Sequence, residues 1–242
     1  MGSSASRGGA QFIPRPASAK AGALPGWAHL SADERRFTLD EVRVACAALP
    51  APRVPLPPDT ARPAAVLVAL FEAPVVPGAS EWDTRVILTK RPETMPSHQG
   101  EIAFPGGKLD ESVDRSLQDA ALREAHEEVG LDPASVEVIA ELDSMVTVMG
   151  RFLLTPFVGV LAEPPALVPH PTEVTSVFSV AVSELLDEVT FRQELWDVPE
   201  GVAVNPGRDR PIHFFELETE TVWGATAHIL ANFLEHLTQA AR

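Results

Sequence analysis

Phe104-Pro105-Gly106-Gly107, followed after a short polar stretch by Ala121-Leu122-Arg123-Glu124-Ala125-His126-Glu127-Glu128-Val129-Gly130-Leu131, is the part of the sequence that decides the fold. From Asp114 to Val129 the residues repeat with helical period, and Gly130 supplies the stop. On a wheel of about 100° per residue, Ala121, Leu122, Ala125 and Val129 form one apolar stripe, with Gln118 among them. Glu124 and Glu128 lie roughly 40° apart on that wheel and Glu127 about 60° beyond Glu124, so three carboxylates share a face that borders the stripe. Like charges at these spacings oppose a helix by about 0.2–0.5 kcal/mol per pair and call for a counter-charge. Arg123 answers Glu127 at i, i+4, and a hard divalent cation with oxygen ligands would answer the others. A solvated acidic face is the plain alternative for the helix alone. Gly106 and Gly107 permit close backbone approach in front of it, although a Gly-Gly pair by itself also makes an ordinary turn.

Working outward, Ala64–Phe71 (AAVLVALF) reads as a buried strand and Thr84–Thr89 (TRVILT) as a second, with a long loop from Lys90 to Lys108. Further strands are expected at Val136–Leu142, Phe152–Leu161 and Val174–Val180, and near Val189–Leu195 and Ile212–Leu217. A short helix is expected at Ser183–Asp187 and an amphipathic one at Ala225–Gln239. Strands broken by helices without a regular βαβ rhythm indicate an α/β (α+β) chain with a mixed β-sheet sandwiched between helices. Upstream, Thr38-Leu39-Asp40-Glu41 is a capping-box pattern that starts a short helix. Pro50, Pro52, Pro55, Pro57, Pro58 and Pro63 then make a stiff connector. Residues 1–26 are Gly/Ala/Ser/Pro-rich and aperiodic. The division expected is a flexible tail over 1–36, a short helix and Pro-rich connector over 37–63, and one domain over 64–240.

The 242 residues include 19 Lys or Arg and 34 Asp or Glu, for a formal net charge of −15. Such a chain is a poor ligand for nucleic acid polymers or anionic membranes, both of which rest on Lys and Arg meeting phosphates. The longest apolar run, Ala64–Phe71, is far below the roughly 20 residues that span a bilayer. The one cysteine, Cys46, cannot close an internal disulfide, which fits a cytoplasmic setting and a small buried hydrophobe. The acid-free, Ser- and Arg-bearing first 32 residues have a transit-peptide flavour, an unstructured tail being the plainer reading.

The combination of Gly107 with REAHEEVGL at Arg123–Leu131 resembles the Nudix box, G-x5-E-x7-R-E-U-x-E-E-x-G-U with U bulky aliphatic. Ala125 stands in the first U slot, Arg115 stands where the early Glu belongs, and the spacing from Gly107 to Arg123 is two residues longer than in the general box. That extension is similar to the coenzyme A pyrophosphatase-like branch, whose boxes read FPGG…D…ALREA.EEVG, as at Phe104–Gly107, Asp110 and Ala121–Gly130. The branch's upstream signature, L-L-T-x-R-[SA]-x3-R-x3-G-x3-F-P-G-G, is matched in spacing by Leu88, Thr89, Arg91, Gly100 and Phe104–Gly107. Pro92 replaces its Ser/Ala and Pro96 its second Arg.

The resemblance implies a Nudix fold and a hydrolase that cleaves the diphosphate linkage of a nucleoside diphosphate derivative, with Mg²⁺ or Mn²⁺ as cofactor. Glu124 and Glu128 would be direct ligands. Glu127 would act through water, a second ion or as base, the Gly107 carbonyl would be a further ligand, and Arg123 would orient the glutamates. Arg91, Lys90, Gly106, Gly107 and His98 are the implied substrate contacts. Glu173 is a candidate base outside the box, a structural role at a strand start being the plainer reading. The expected substrate is coenzyme A or a derivative, cut to 3′,5′-ADP and 4′-phosphopantetheine by a monomer or homodimer. Pro92 and Pro96 motivate the alternative of ADP-ribose, dinucleotides or nucleoside triphosphates. A non-catalytic nucleotide-sensing domain is a third reading, opposed by the presence of all three glutamates.

Overall fold

A computed structural model describes residues 7–95, 98–200 and 206–240. In chain order the elements are β1 (Lys20–Ala21), α1 (Leu39–Ala47), β2 (Arg62–Pro74), β3 (Trp82–Lys90), β4 (Ile102–Ala103), β5 (Gly106–Lys108) and α2 (Leu117–Val129). Then follow β6 (Val136–Glu141), β7 (Met145–Val146), β8 (Phe152–Leu161), β9 (Ser176–Ala181), α3 (Val182–Leu185), β10 (Phe191–Val198), β11 (Gly207–Glu216), β12 (Thr221–Trp223) and α4 (Gly224–Ala240). The larger sheet runs β4-β3-β2-β8-β6, with β5 added to β2, β7 to β8 and β9 to β3. It is mixed: β2 and β8 are parallel, and the other pairs are antiparallel. A smaller sheet has the order β1-β10-β11-β12.

β2 is the spine because both its faces are apolar, as expected of a strand covered on both sides. Ala65, Leu67, Ala69 and Phe71 pack on one face against Ala120, Ala121, Ala125 and Val129 of α2. Val66, Val68 and Leu70 face the other way, into a core shared with Val42 and Cys46 of α1 and Ile229, Leu230, Phe233 and Leu234 of α4. The sheet is therefore sandwiched between helices, as the sequence predicts. Burial pushes the Cys46 thiol up to about 11, so it behaves as an inert hydrophobe. The capping box is formed in full: the Glu41 N–H donates to Thr38 Oγ1 at 3.3 Å and the Thr38 N–H donates to Glu41 Oε2 at 2.8 Å.

The N-terminal stretch departs from expectation. Residues 7–36 are not a free tail but a strap laid along the body. β1 pairs with β10, Arg15 is ion-paired to Glu194 at 2.7 Å, and Trp27 is 1% exposed with its ring edge-on to Phe191, centroids 5.0 Å apart. Burying one Trp contributes on the order of 3 kcal/mol, a small part of the entropy cost of ordering a segment of this length at about 1–2 kcal/mol per residue, so the strand pairing, ion pairs and other contacts along the strap must offset the rest. The expected Lys90–Lys108 loop holds two short strands, and the helix expected from Asp114 starts three residues later, at Leu117, after the Ser116 cap. Among the described residues no helix is long and apolar enough to cross a membrane. Pro96, the position where the upstream signature expects an Arg, lies outside the described residues.

Candidate active site

α2 packs by its alanine stripe, and that packing aims the neighbouring carboxylates at the β5 backbone. Small residues allow close approach: the helix lies against β2 and β5, and a Cβ at Gly107 would collide with the Glu124 carboxyl group. A Cβ at Gly106 would meet the Ala65 carbonyl and Val66. The two glycines are thus required by proximity, and Gly106 also by its backbone, whose φ is +155°.

Glu128 is 6% exposed and accepts one hydrogen bond, from the Gly106 N–H at 3.2 Å. Burial pushes its carboxyl up to about 7, and the nearby charges of Glu124 and Glu173 push the same way, opposed by the Gly106 bond and by Arg91. Glu124 is raised as well, by burial first, with Arg123 pulling against it. Two carboxylates forced towards protonation beside each other form a place where a cation is stabilised.

Arg123 organises the rest. Its Nε and Nη2 donate to Asp114 Oδ1 at 2.9 Å and Oδ2 at 3.0 Å, its Nη1 to Glu127 Oε2 at 2.8 Å, and its Nη2 to Glu124 Oε1 at 3.0 Å and the Lys108 carbonyl at 3.2 Å. Asp114, which the sequence reading passed over, also accepts the Asp110 N–H at 2.9 Å. Arg123 holds its carboxyl below the usual carboxylate range. The signal was available: with Arg115 in the early Glu slot, the acid beside it takes the Arg123 contact.

The remaining expected residues divide. Arg91 follows β3, its charge reaches Glu128, and its buried Nε has no hydrogen-bond partner among the described residues. Glu173 sits on a loop tied to the end of α2, where the Val168 and His170 N–H groups donate to the Val129 and Glu128 carbonyls at 2.9 and 2.8 Å. Lys90 is engaged elsewhere, its Nζ 2.7 Å from Glu220 Oε1. His98 is ion-paired to Glu101 at 2.8 Å, which raises its pKa. Glu127 is half exposed and turned to Arg123, away from the buried pair's environment.

An open cleft of about 530 Å³ lies between the Lys108–Ser112 loop and the Arg123–Glu124 face of the helix. Among the described residues no group of three or more His, Cys, Asp or Glu side chains is gathered to hold a metal ion. What the structure brings together instead is a pair of carboxylates, Glu124 and Glu128, beside the glycine backbone of β5. That set suits a hard cation that keeps waters and takes oxygens from a bound phosphate, as Mg²⁺ commonly does.

Residues 64–202 match the profile of the family described as the NUDIX domain. The chain is 37% identical over 173 residues to "Nudix hydrolase 22, chloroplastic" of Arabidopsis thaliana, covering 69% of this chain and 52% of that protein. It is 35% identical over 184 residues to "Uncharacterized Nudix hydrolase NudL" of Photorhabdus laumondii, covering 74% and 88%. This chain thus spans about half the length of the plant relative. A solved structure of a MutT/nudix family protein from Enterococcus faecalis is similar at TM-score 0.44 and 16% identity, covering 85% of this chain and 75% of that one.

Proposed function

The chain belongs to the Nudix hydrolases, a family that acts on pyrophosphate bonds, and on that premise we propose that it hydrolyses the diphosphate linkage of coenzyme A or its derivatives to 3′,5′-ADP and 4′-phosphopantetheine. The observation that carries the catalytic part is the buried pair Glu124–Glu128 against Gly106–Gly107. Nudix hydrolases generally use divalent metals, and here Glu124 and Glu128, with the Gly107 backbone, would hold Mg²⁺ or Mn²⁺. A bound ion supplies charge neutralisation to the diphosphate and acidity to water.

The chain's own residues do the positioning. Arg123 locks the orientation of Glu124 and Glu127 by ion pairs, so the helix presents its carboxylates in one arrangement. Arg91 offers an unpartnered guanidinium N–H near the pair, suited to a phosphate oxygen. Glu173, whose charge raises both carboxylates, is the residue we assign as the acceptor of the attacking water's proton. The coenzyme A reading is supported by the spacing that joins Leu88-Thr89, Arg91, Gly100 and Phe104–Gly107.

A second reading keeps the chemistry and changes the substrate to ADP-ribose, a dinucleotide or a nucleoside triphosphate. It is favoured by Pro92 in the signature and by the engagement of Lys90 with Glu220, which leaves fewer local cations for the substrate. Incubating the protein separately with coenzyme A, NADH, ADP-ribose and dNTPs, with Mg²⁺ or Mn²⁺, and reading products by chromatography decides between them. Coenzyme A turnover is expected, and its absence beside brisk ADP-ribose turnover overturns the first reading.

A further inference from the structure

Basic side chains in this acidic protein are mostly ion-paired: Arg7 with Glu184, Arg43 with Glu137, Arg53 with Asp143 and Arg192 with Glu216 are examples. Arg62, Lys108 and Arg151 are exceptions. All three are exposed, and among the described residues none has a carboxylate partner. They are also neighbours. In the sheet register Arg62 stands opposite Phe152 and Ala64 opposite Lys108, so the two-residue period puts Arg62, Lys108 and Phe152 on one face at the start of β2. The Lys108 ammonium lies 5.8 Å from the Phe152 ring centroid, and the Arg62 N–H donates to the Arg151 carbonyl at 2.9 Å. Arg151 and Arg91 both act on His98, against the stronger opposite pull of Glu101, so Arg151 lies within reach of the loop that carries His98. Arg62 and Lys108, like charges sharing a face without counter-charge and with Arg151 next to them in the backbone, repel each other and are stabilised by an anion.

The position of this patch says which anion. Gly107 faces Glu124, and Lys108, the next residue of β5, faces the opposite side of the strand. Among the described residues β5 pairs only with β2. A substrate crossing the outer edge of β5 therefore meets the carboxylate pair on one side and Arg62 and Lys108 on the other.

We propose that Arg62, Lys108 and Arg151 form a second anion subsite, for a phosphate monoester carried by the substrate's nucleoside apart from the scissile diphosphate. The proposal rests on the diphosphate-hydrolase reading above. It makes the preferred class nucleoside diphosphate derivatives with an additional ribose phosphate, and it supplies by a different route the grip that an Arg at position 96 would give.

The test is binding of adenosine 3′,5′-bisphosphate and of AMP to the full chain, by calorimetry at fixed ionic strength. Charge-assisted contacts to one phosphate lead to an expected preference of about tenfold to hundredfold for the bisphosphate. The double variant Arg62→Ser/Lys108→Ser is expected to bring the ratio of the two affinities near one. A control double variant, Arg43→Ser/Arg53→Ser, removes the same charge elsewhere and is expected to keep the ratio. Equal binding by the wild type, or a ratio unchanged in Arg62→Ser/Lys108→Ser, overturns the subsite. Because the readout is binding, a wild type that prefers the bisphosphate but does not cleave coenzyme A defeats the substrate reading and leaves the subsite standing.

Discussion

Asp114 and Glu128 are both buried carboxylates of one loop-and-helix unit, and the protein treats their charges in opposite ways. Asp114 receives two guanidinium bonds from Arg123 and a backbone N–H from Asp110, so it stays ionised well below the usual range. Glu128, similarly shielded from solvent, receives a single N–H from Gly106 and is driven up to about 7. At Glu128 burial is the larger cause and its partners are too few to oppose it; at Asp114 the Arg123 bonds outweigh burial. A buried carboxylate with three donors is a fastener. One with a single donor and two acidic neighbours is destabilising until something positive arrives, and such sites are where ligands bind.

The largest effect expected from this contrast is on activity. Glu128→Gln keeps the shape and the Gly106 bond but removes the charge a cation needs. Several kcal/mol of transition-state stabilisation is then lost, about a 10³-fold fall in kcat/KM at 1.36 kcal/mol per tenfold. Its melting temperature without divalent ions should equal or exceed that of the wild type, because an unpaired buried carboxyl has been replaced. Glu124→Gln should behave alike in activity. A Glu128→Gln enzyme with wild-type turnover breaks the contrast.

Asp114→Asn should do the reverse, with stability falling first. Arg123 loses its best partner but keeps Glu124 and Glu127 and some solvent, so the cost is about 2 kcal/mol by urea denaturation, below that of a fully buried orphan. Activity should fall by roughly 10- to 100-fold, as for groups that orient metal ligands.

The pH dependence separates the two carboxylates by sign. Asp114 titrates lower when folded, so its stabilisation is present above its ordinary value of 3.8 and is lost as pH falls through the folded value. Glu128 titrates higher when folded. Between its ordinary 4.5 and about 7 the folded state binds more protons than the unfolded, so in chelator stability contributed by this group falls as pH rises across that window. Buried His213, lowered to about 4 by burial, acts oppositely below 6.5, which makes the difference between wild type and Glu128→Gln the quantity to measure. The melting temperature of the wild type minus that of the variant should decline from pH 4.5 to 7. A flat difference would place Glu128 in a better-solvated site than the one described.

Much of this arrangement was legible because the signals are local. The alanine stripe, the Gly130 stop and the doubly apolar Ala64–Phe71 run specify how α2 lies on β2, and the Arg123–Glu127 pair follows from helical spacing. What escaped depends on partners distant in sequence. The strap over residues 7–36 has no periodicity, and its anchor, Trp27 on Phe191, joins a loop residue to a strand residue far along the chain. The ion pair of Lys90, an expected substrate contact, with Glu220 likewise joins positions far apart in the chain. Asp114 lies before the helix that uses it, and a wheel that runs from Asp114 puts it on the side opposite Arg123, about 180° away, so helical spacing hides the contact.

Glu127 gives the smallest expected effect and the sharpest control. It has the same charge and helix as Glu128, but it is half exposed and already neutralised by Arg123 at 2.8 Å. If local environment decides function, Glu127→Gln should cost only about 0.3–0.5 kcal/mol of stability, as exposed i, i+4 pairs do. Its kcat/KM should fall by no more than about tenfold, through a looser Arg123. Parallel kinetics and thermal melts on Glu127→Gln and Glu128→Gln measure this directly. Equal, large losses in both would mean that Glu127 leaves Arg123 and joins the pair when substrate binds. The site would then be assembled by the ligand, with Arg123 freed to meet the phosphate, instead of being held ready by the packing of α2 on β2.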